Sequence, residues 1–229
     1  MFERKKVDIL LISATDNESK LLISKLGLNA FEKDLLRGKV NGNMVYYTCS
    51  GIGSASTAYK LTKLFLKNNF DLVVQFGIAG SFTSRFVPGA VVQVTEDCFA
   101  DLGIDDNGQF KDLFELKYLN ENSFPYTGNS IKNQFITDLS DVPEAKGITV
   151  NTASGNSDRI NFLKNRFNPD VETMEGAALA LVCASEKIKY LQIRAISNFV
   201  EPRNIKNWKT EAAVRDLTDK IIELLNEIN

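Results

Sequence analysis

The chain has no histidine among its 229 residues, and that absence narrows the chemistry before any motif is read. Ser-His-Asp and Cys-His triads, histidine metal sites and an imidazole base all drop out. Acid–base work therefore falls to carboxylates, Lys, Tyr or Cys. Cys49, Cys98 and Cys183 lie far apart and match no zinc spacing. They read as small buried thiols, reduced as in a cytoplasm. With no ligand cluster and no phosphate motif in the sequence, neither a metal nor an organic cofactor is implied.

Three stretches carry the residue types of a ligand site. The first, Glu172-Thr173-Met174-Glu175-Gly176-Ala177-Ala178, stands before a helix rich in Ala, Leu and Val. An acid at a helix start is accounted for by the dipole and cap alone, worth about 0.3–1 kcal/mol. A Met-Glu pair followed by small residues goes further, because it leaves room beside the carboxylate. One carboxylate can accept hydrogen bonds from two vicinal hydroxyls of a sugar. The second is a glycine-rich pair of segments: Gly51-Ile52-Gly53 precedes a helix and Gly77-Ile78-Ala79-Gly80 ends a strand. Glycine lets the backbone approach a ligand, and a helix start offers free N–H groups. Neither is a P-loop or a full G-x-G-x-x-G, and tight turns are the alternative. The third, Arg194-Ala195-Ile196-Ser197-Asn198, ends a predicted strand, where open α/β sheets bind ligands. Asn198 could equally be a turn residue.

These residues need a scaffold. Val7–Ser13 and Phe70–Phe76 are short apolar runs of the kind that form buried strands. Arg37-Gly38 and Asn41-Gly42-Asn43 read as hairpin turns within residues 31–49. A helix is predicted from Ser54 to about Lys67 on the spacing of Ala55, Ala58, Leu61, Leu64 and Phe65. Leu21, Leu22 and Leu26 mark an earlier helix. Further strands are predicted over 90–95, 147–152 and 189–196, with helices over 156–167, 174–187 and 209–227. Residues 101–128 are polar and aromatic without firm periodicity, and read as an excursion near a pocket or interface. Alternating strands and helices predict a mixed or parallel sheet covered on both faces, as an α/β fold. With no repeat or linker visible, residues 1–229 are expected to form one domain.

The totals are those of a soluble globular protein: 44% hydrophobic, 24% charged, net charge −2. No clustered Lys/Arg excess suggests nucleic acid as a partner. No stretch approaches the roughly 20 apolar residues of a membrane span. The start, with Asp8 interrupting its apolar run, lacks a signal-peptide pattern, so a cytoplasmic location is expected.

Taken in order, the motifs resemble the purine nucleoside phosphorylase and nucleosidase superfamily over nearly the whole chain. They are Ala14-x-x-x-Glu18, Ser50-Gly51-Ile52-Gly53, Gly77–Gly80, Met174-Glu175-Gly176-Ala177 and Arg194–Asn198. Within it, Phe76–Phe82, the run from Thr95 to Gly103 and Val200-Glu201-Pro202-Arg203-Asn204 resemble futalosine hydrolases of menaquinone biosynthesis. The resemblance implies a single domain whose central mixed sheet curls into a distorted barrel flanked by helices. It implies a purine nucleoside as the small-molecule partner. It also implies Glu18 and Asn198 as catalytic residues, with Ile78, Ala79, Gly80, Met174 and Glu175 binding substrate. A homo-oligomer follows too, residues 99–114 (with Phe99, Phe110 and Phe114) closing a neighbour's pocket.

Two choices within the superfamily can be read from side chains. Phosphorylases need cations, usually Arg, to hold phosphate. Here Ser13–Glu18 after the first strand and Gln75-Phe76 before Gly77 supply acidic and neutral residues instead. Hydrolysis is expected, with Glu18 deprotonating water, a role worth typically 10²–10⁴-fold. Adenine-releasing relatives carry Asp at the position of Asn198. An amide donates to O6 and N7 of a 6-oxopurine, whereas a carboxylate would oppose O6. Hypoxanthine is the expected leaving base.

Overall fold

The computed structural model describes residues 6–134 and 141–228. Its sheet is built on β1 (Asp8–Ser13), which pairs in parallel with both β4 (Asn43–Cys49) and β5 (Leu72–Ser81). Ile9 and Leu11 enter one core cluster while Leu10 and Ile12 enter another. Successive side chains point to opposite faces, and here both faces are covered, so an unbroken apolar run is the stable choice. One face packs against α1 (Asp16–Leu26) and α5 (Thr210–Glu227), through Leu22, Leu217, Ile221 and Leu224. The other packs against α2 (Ser54–Phe65) and α4 (Gly176–Ser185), through Leu61 and Leu179. Burying each such side chain contributes about 1.5–3 kcal/mol.

On the outer edge, β2 (Asn29–Glu32), β3 (Leu35–Val40) and β4 form an antiparallel meander. On the inner side β5 runs beside β12 (Lys189–Phe199), then β6 (Val91–Asp97), β10 (Glu144–Thr149) and β11 (Val171–Thr173). β11 returns to pair antiparallel with β5, at Val171↔Ser81 and Glu172↔Gly80. Five strands therefore close on themselves as a mixed barrel. Its interior is filled by Ala79, Val92, Val94, Ala145, Val171 and Ile196. The remaining elements are β7 (Gly103–Asp106), β8 (Gln109–Asp112), β9 (Ile131–Lys132) and α3 (Ser157–Phe167). The expected α/β fold with a distorted barrel is the one observed.

Several expectations are corrected. Gly77–Gly80 does end a strand, and it is the alternative of a tight turn that fails. β5 continues through the segment to Ser81, paired all the way with β12, which continues through Asn198 to Phe199. The glycines interrupt the apolar pattern but not the ladder. Gly38 lies inside β3, opposite Val45 of β4, rather than in a turn; Asn41-Gly42, both at positive φ, makes the β3–β4 hairpin, and Lys33-Asp34 makes the β2–β3 one. The strand expected over 147–152 begins at Glu144 and ends at Thr149. The 101–128 excursion contains the β7–β8 hairpin, unseen in the periodicity. Two of its phenylalanines make ring contacts, Phe110 edge-on to Phe162 at 5.8 Å and Phe114 to Tyr126 at 5.2 Å, while Tyr118 and Phe124 stay exposed. Arg166 of α3 pins it further, pairing with Asp112 at 2.8 Å.

All three cysteines are free, Cys98 and Cys183 buried and Cys49 half-buried. No described helix is long and apolar enough to cross a membrane.

Candidate active site

Glu18 is far from a solvated helix-face residue. It occupies the third position of α1, with Thr15 as N-cap, and forms a capping box. Its Oε2 accepts from the Thr15 backbone N–H and hydroxyl, both at 3.1 Å. Its Oε1 accepts from the Ile78 N–H at 2.9 Å. The carboxylate is thus held between the start of α1 and the middle of β5, and it is 7% exposed. Gly77 permits that approach. A methyl group there would lie 2.6 Å from Glu18 Oε1 and 2.7 Å from Arg194 Nη1.

Arg194 is the centre of the cluster. It pairs with Gly77 across the β5–β12 ladder and is 1% exposed. Nη2 donates to Gln75 Oε1 at 2.5 Å, and Nη1 stands 3.8 Å from Glu175 Oε2. A buried cation is tolerable only with such partners. Glu175 in turn accepts the Gly53 N–H on Oε1 at 3.0 Å. Gly53 has φ 92°, open to glycine and strained for other residues. The Gly51-Ile52-Gly53 turn therefore directs its N–H to a carboxylate of the protein. Burial pushes the Glu175 carboxyl above its ordinary range; Arg194 and the Gly53 N–H pull it back, and Glu18 pushes it up.

Asn198 lies one step past a bulge in β12, opposite Gly80. Its Oδ1 accepts from the Ser197 hydroxyl at 2.7 Å, and its Nδ2 donates to the Phe199 carbonyl at 2.8 Å. A carbonyl can only accept, so the atom facing it must be the N–H₂. Gly80 is two residues along β5 from Ile78, about 7 Å at the rise of a strand. On the far side of Gly80, Glu172 accepts from Ser154 N at 2.8 Å and ties the loop after β10 to the sheet.

A carboxylate and an amide spaced along one glycine-bearing strand, with a second carboxylate joined by arginine, suit a small polar ligand lying along β5. The model of the phosphorylase superfamily matches residues 8–227. The chain belongs to that superfamily. A futalosine hydrolase of Thermus thermophilus is 28% identical over 193 residues, covering 82% of this chain and 84% of its own length. A 5′-methylthioadenosine/S-adenosylhomocysteine nucleosidase of Psychromonas ingrahamii is 24% identical, covering 96% and 98%. The solved futalosine hydrolase of Helicobacter pylori superposes with a TM-score of 0.80 at 16% identity, covering 97% and 98%. Among these phosphorylase-superfamily relatives the named activities are N-glycosyl hydrolases, and this chain is an enzyme of that kind.

The expected site residues are brought together unequally. Glu18, Ile78 and Glu175 converge around Arg194, while Gly80 and Asn198 pair further along the sheet. Ala79 buries its methyl group in the barrel interior, leaving its backbone to the site. Met174 is half-buried beside Glu175, its carbonyl accepting from the Ser54 hydroxyl at 3.4 Å. Arg194 and Gly53 carry roles that the sequence reading did not assign. The signal for Arg194 was a charge inside an otherwise apolar strand. Among the described residues, no group of three or more Cys, Asp or Glu side chains is placed to hold a metal ion.

Proposed function

We propose that this enzyme hydrolyses the N-glycosidic bond of futalosine, releasing hypoxanthine, as a step of menaquinone biosynthesis. The amide of Asn198 carries the base assignment. Its Nδ2 is set as a donor by the Phe199 carbonyl, and its second N–H remains available for O6 or N7 of a 6-oxopurine. Water as nucleophile is supported by the charge balance. Arg194 is already flanked by Glu18 and Glu175, so a phosphate dianion would enter beside two carboxylates.

In this mechanism the C1′–N9 bond breaks and its electron pair leaves with the base. Charge on the departing purine spreads over O6 and N7, where Asn198 donates a hydrogen bond without giving up a proton. Glu18 takes a proton from the attacking water as the new C1′–O bond forms. Glu18 and Glu175 are both placed to favour the ribosyl cation-like transition state. The base collects its proton from solvent, and Glu18 returns its own.

Incubation with futalosine, inosine and methylthioadenosine, each with and without phosphate, tests this reading. Hypoxanthine should appear from futalosine regardless of phosphate. Dominant adenine release would instead place the enzyme with the methylthioadenosine nucleosidases, to which it is similar over almost its whole length. Strict phosphate dependence would make it a phosphorylase.

Glu175 is assigned to the ribose hydroxyls. Glu175→Gln should lower the ratio of kcat/KM for futalosine over its 2′-deoxy analogue about tenfold, the scale of one hydrogen bond to a charged group. An unchanged ratio would remove Glu175 from hydroxyl recognition.

A homo-oligomer belongs to the same proposal. With Phe110 and Phe114 half-buried in ring contacts, the exposed apolar side chains of the excursion are Tyr118, Phe124, Leu102 and Ile104, with Ile52 just before α2 and Tyr59 on it. Light scattering at assay concentration should give at least a dimer mass; a fully active monomer would rule this out.

A further inference from the structure

Asp97 ends β6 and is buried, yet no step above uses it. Its Oδ1 accepts from the Thr149 hydroxyl at 2.9 Å and its Oδ2 from Gln192 Nε2 at 3.1 Å. Two glycines make room for it. A methyl group at Gly147 would come within 3.0 Å of Oδ2, and one at Gly176 would collide with both Oδ2 and Gln192 Nε2. The small residue after Glu175 thus clears space for this buried pair, whereas its sequence suggested space for a ligand.

The first N–H groups of a helix need acceptors, and a short polar side chain at the N-cap usually supplies one. Glu175 is the N-cap of α4 and makes no side-chain cap bond. Hydroxyls from two neighbouring strands do so instead. Ala177 N donates to Thr149 Oγ1 at 2.8 Å, and Gly176 N to Thr173 Oγ1 at 3.3 Å. The two hydroxyls are 3.3 Å apart. Because Thr149 gives its proton to Asp97, its oxygen must accept from Ala177, and Thr173 must donate to Thr149. The direction of every bond follows from one group that only accepts.

We propose that Asp97 is a positioning residue: it orients the Thr149 hydroxyl as the cap of α4 and so frees the Glu175 carboxylate to face substrate. The hydrogen bonds from Gln192 and Thr149, and then the Arg194 charge, favour the ionised form of Asp97 against burial. Burial raises the Asp97 carboxyl to about 6, which still leaves it mostly ionised at neutral pH. When the orientation is lost, the Ala177 N–H needs another acceptor, and the carboxylate of Glu175 at the N-cap of the same helix can supply one. It would then turn from Gly53 toward its own helix.

The inference rests on the assignment of Glu175 to the ribose, and its test separates the two. Futalosine and its 2′-deoxy analogue are compared in Asp97→Asn, Thr149→Val, Thr149→Ser, Glu175→Gln and the Asp97→Asn/Glu175→Gln double variant, with melting temperatures alongside. Asp97→Asn and Thr149→Val should each lower the ribo-to-deoxy ratio of kcat/KM at least threefold, while Thr149→Ser, which keeps the hydroxyl, stays near the parent. In the Glu175→Gln background, Asp97→Asn should shift the ratio no further. A lower melting temperature with an unchanged ratio would reduce Asp97 to a structural role and overturn the proposal, as would an equal shift in both backgrounds. Should Asp97→Asn fail to fold, the Val and Ser variants of Thr149 decide alone. A Glu175→Gln enzyme with the parent ratio would sink the ribose assignment and the relay with it. A shifted Glu175→Gln ratio beside an unshifted Thr149→Val sinks the relay only.

Discussion

Glu18→Gln is expected to lower kcat by 10²–10⁴-fold, the usual worth of a general base, with the fold kept. The substitution removes proton acceptance, and the structure adds a second consequence. Glu18 receives three hydrogen bonds, from Thr15 N, Thr15 Oγ1 and Ile78 N. A glutamine can keep its oxygen on Ile78 and donate its N–H₂ to the Thr15 hydroxyl, but Thr15 N then loses its acceptor. Thr15 is half-buried, so water can replace part of that bond. A stability loss of about 1 kcal/mol accompanies the change, comparable to one lost cap. Single-turnover kinetics at saturating futalosine, read with the melting temperature, separate the two effects. Retention of more than about a tenth of the parent kcat would leave Glu18 as a capping residue and nothing more.

Asn198→Asp should lower the ratio of kcat/KM for hypoxanthine release over adenine release by at least about tenfold, or 1.4 kcal/mol, on substrates otherwise identical. The amide donates toward Phe199 O at 2.8 Å while Ser197 donates to its oxygen. An ionised carboxylate keeps the serine but sets an oxygen against the Phe199 carbonyl, and another against O6 of the base. Both repulsions weigh against the 6-oxopurine. An adenine 6-amino group would offer the donor that such a carboxylate wants. Protonation of the new carboxyl group, favoured by the carbonyl, would let it serve N7 as well. The variant need not become a good adenine enzyme, because one substitution does not rebuild the pocket. An unchanged ratio in a folded, active variant would mean that position 198 does not read the 6-position.

The element order was legible because it rests on local patterns. The unbroken apolar run at Ile9–Ile12 and the helical spacing of Leu61 and Leu64 in α2 report burial locally: the run and Leu61 are buried, and Leu64 packs half-buried against the same cluster. The turn at Asn41-Gly42 was legible for the same reason: its chemistry is local. What failed was equally physical. Gly77 and Gly80 look like turn residues, yet they sit in a paired strand because Glu18, Arg194 and Val200 occupy the space where side chains would be. No local rule reports a neighbour so far along the chain.

The same division holds at the site. The sequence by itself determined the inventory: no histidine, carboxylates at Glu18 and Glu175, an amide at Asn198 and glycines spaced between them. Residue type sets donor and acceptor capacity whatever the fold. Only the tertiary structure decided how each group is used. It turned the Glu175 carboxylate away from its own helix, because Thr149 and Thr173 cap that helix instead. It made the Gly53 N–H a partner of Glu175 and placed the Arg194 guanidinium among Gln75, Glu18 and Glu175. A buried polar group takes the partner that the packed chain brings within about 3 Å, and that is set by strand register and barrel closure, which no short stretch of sequence encodes.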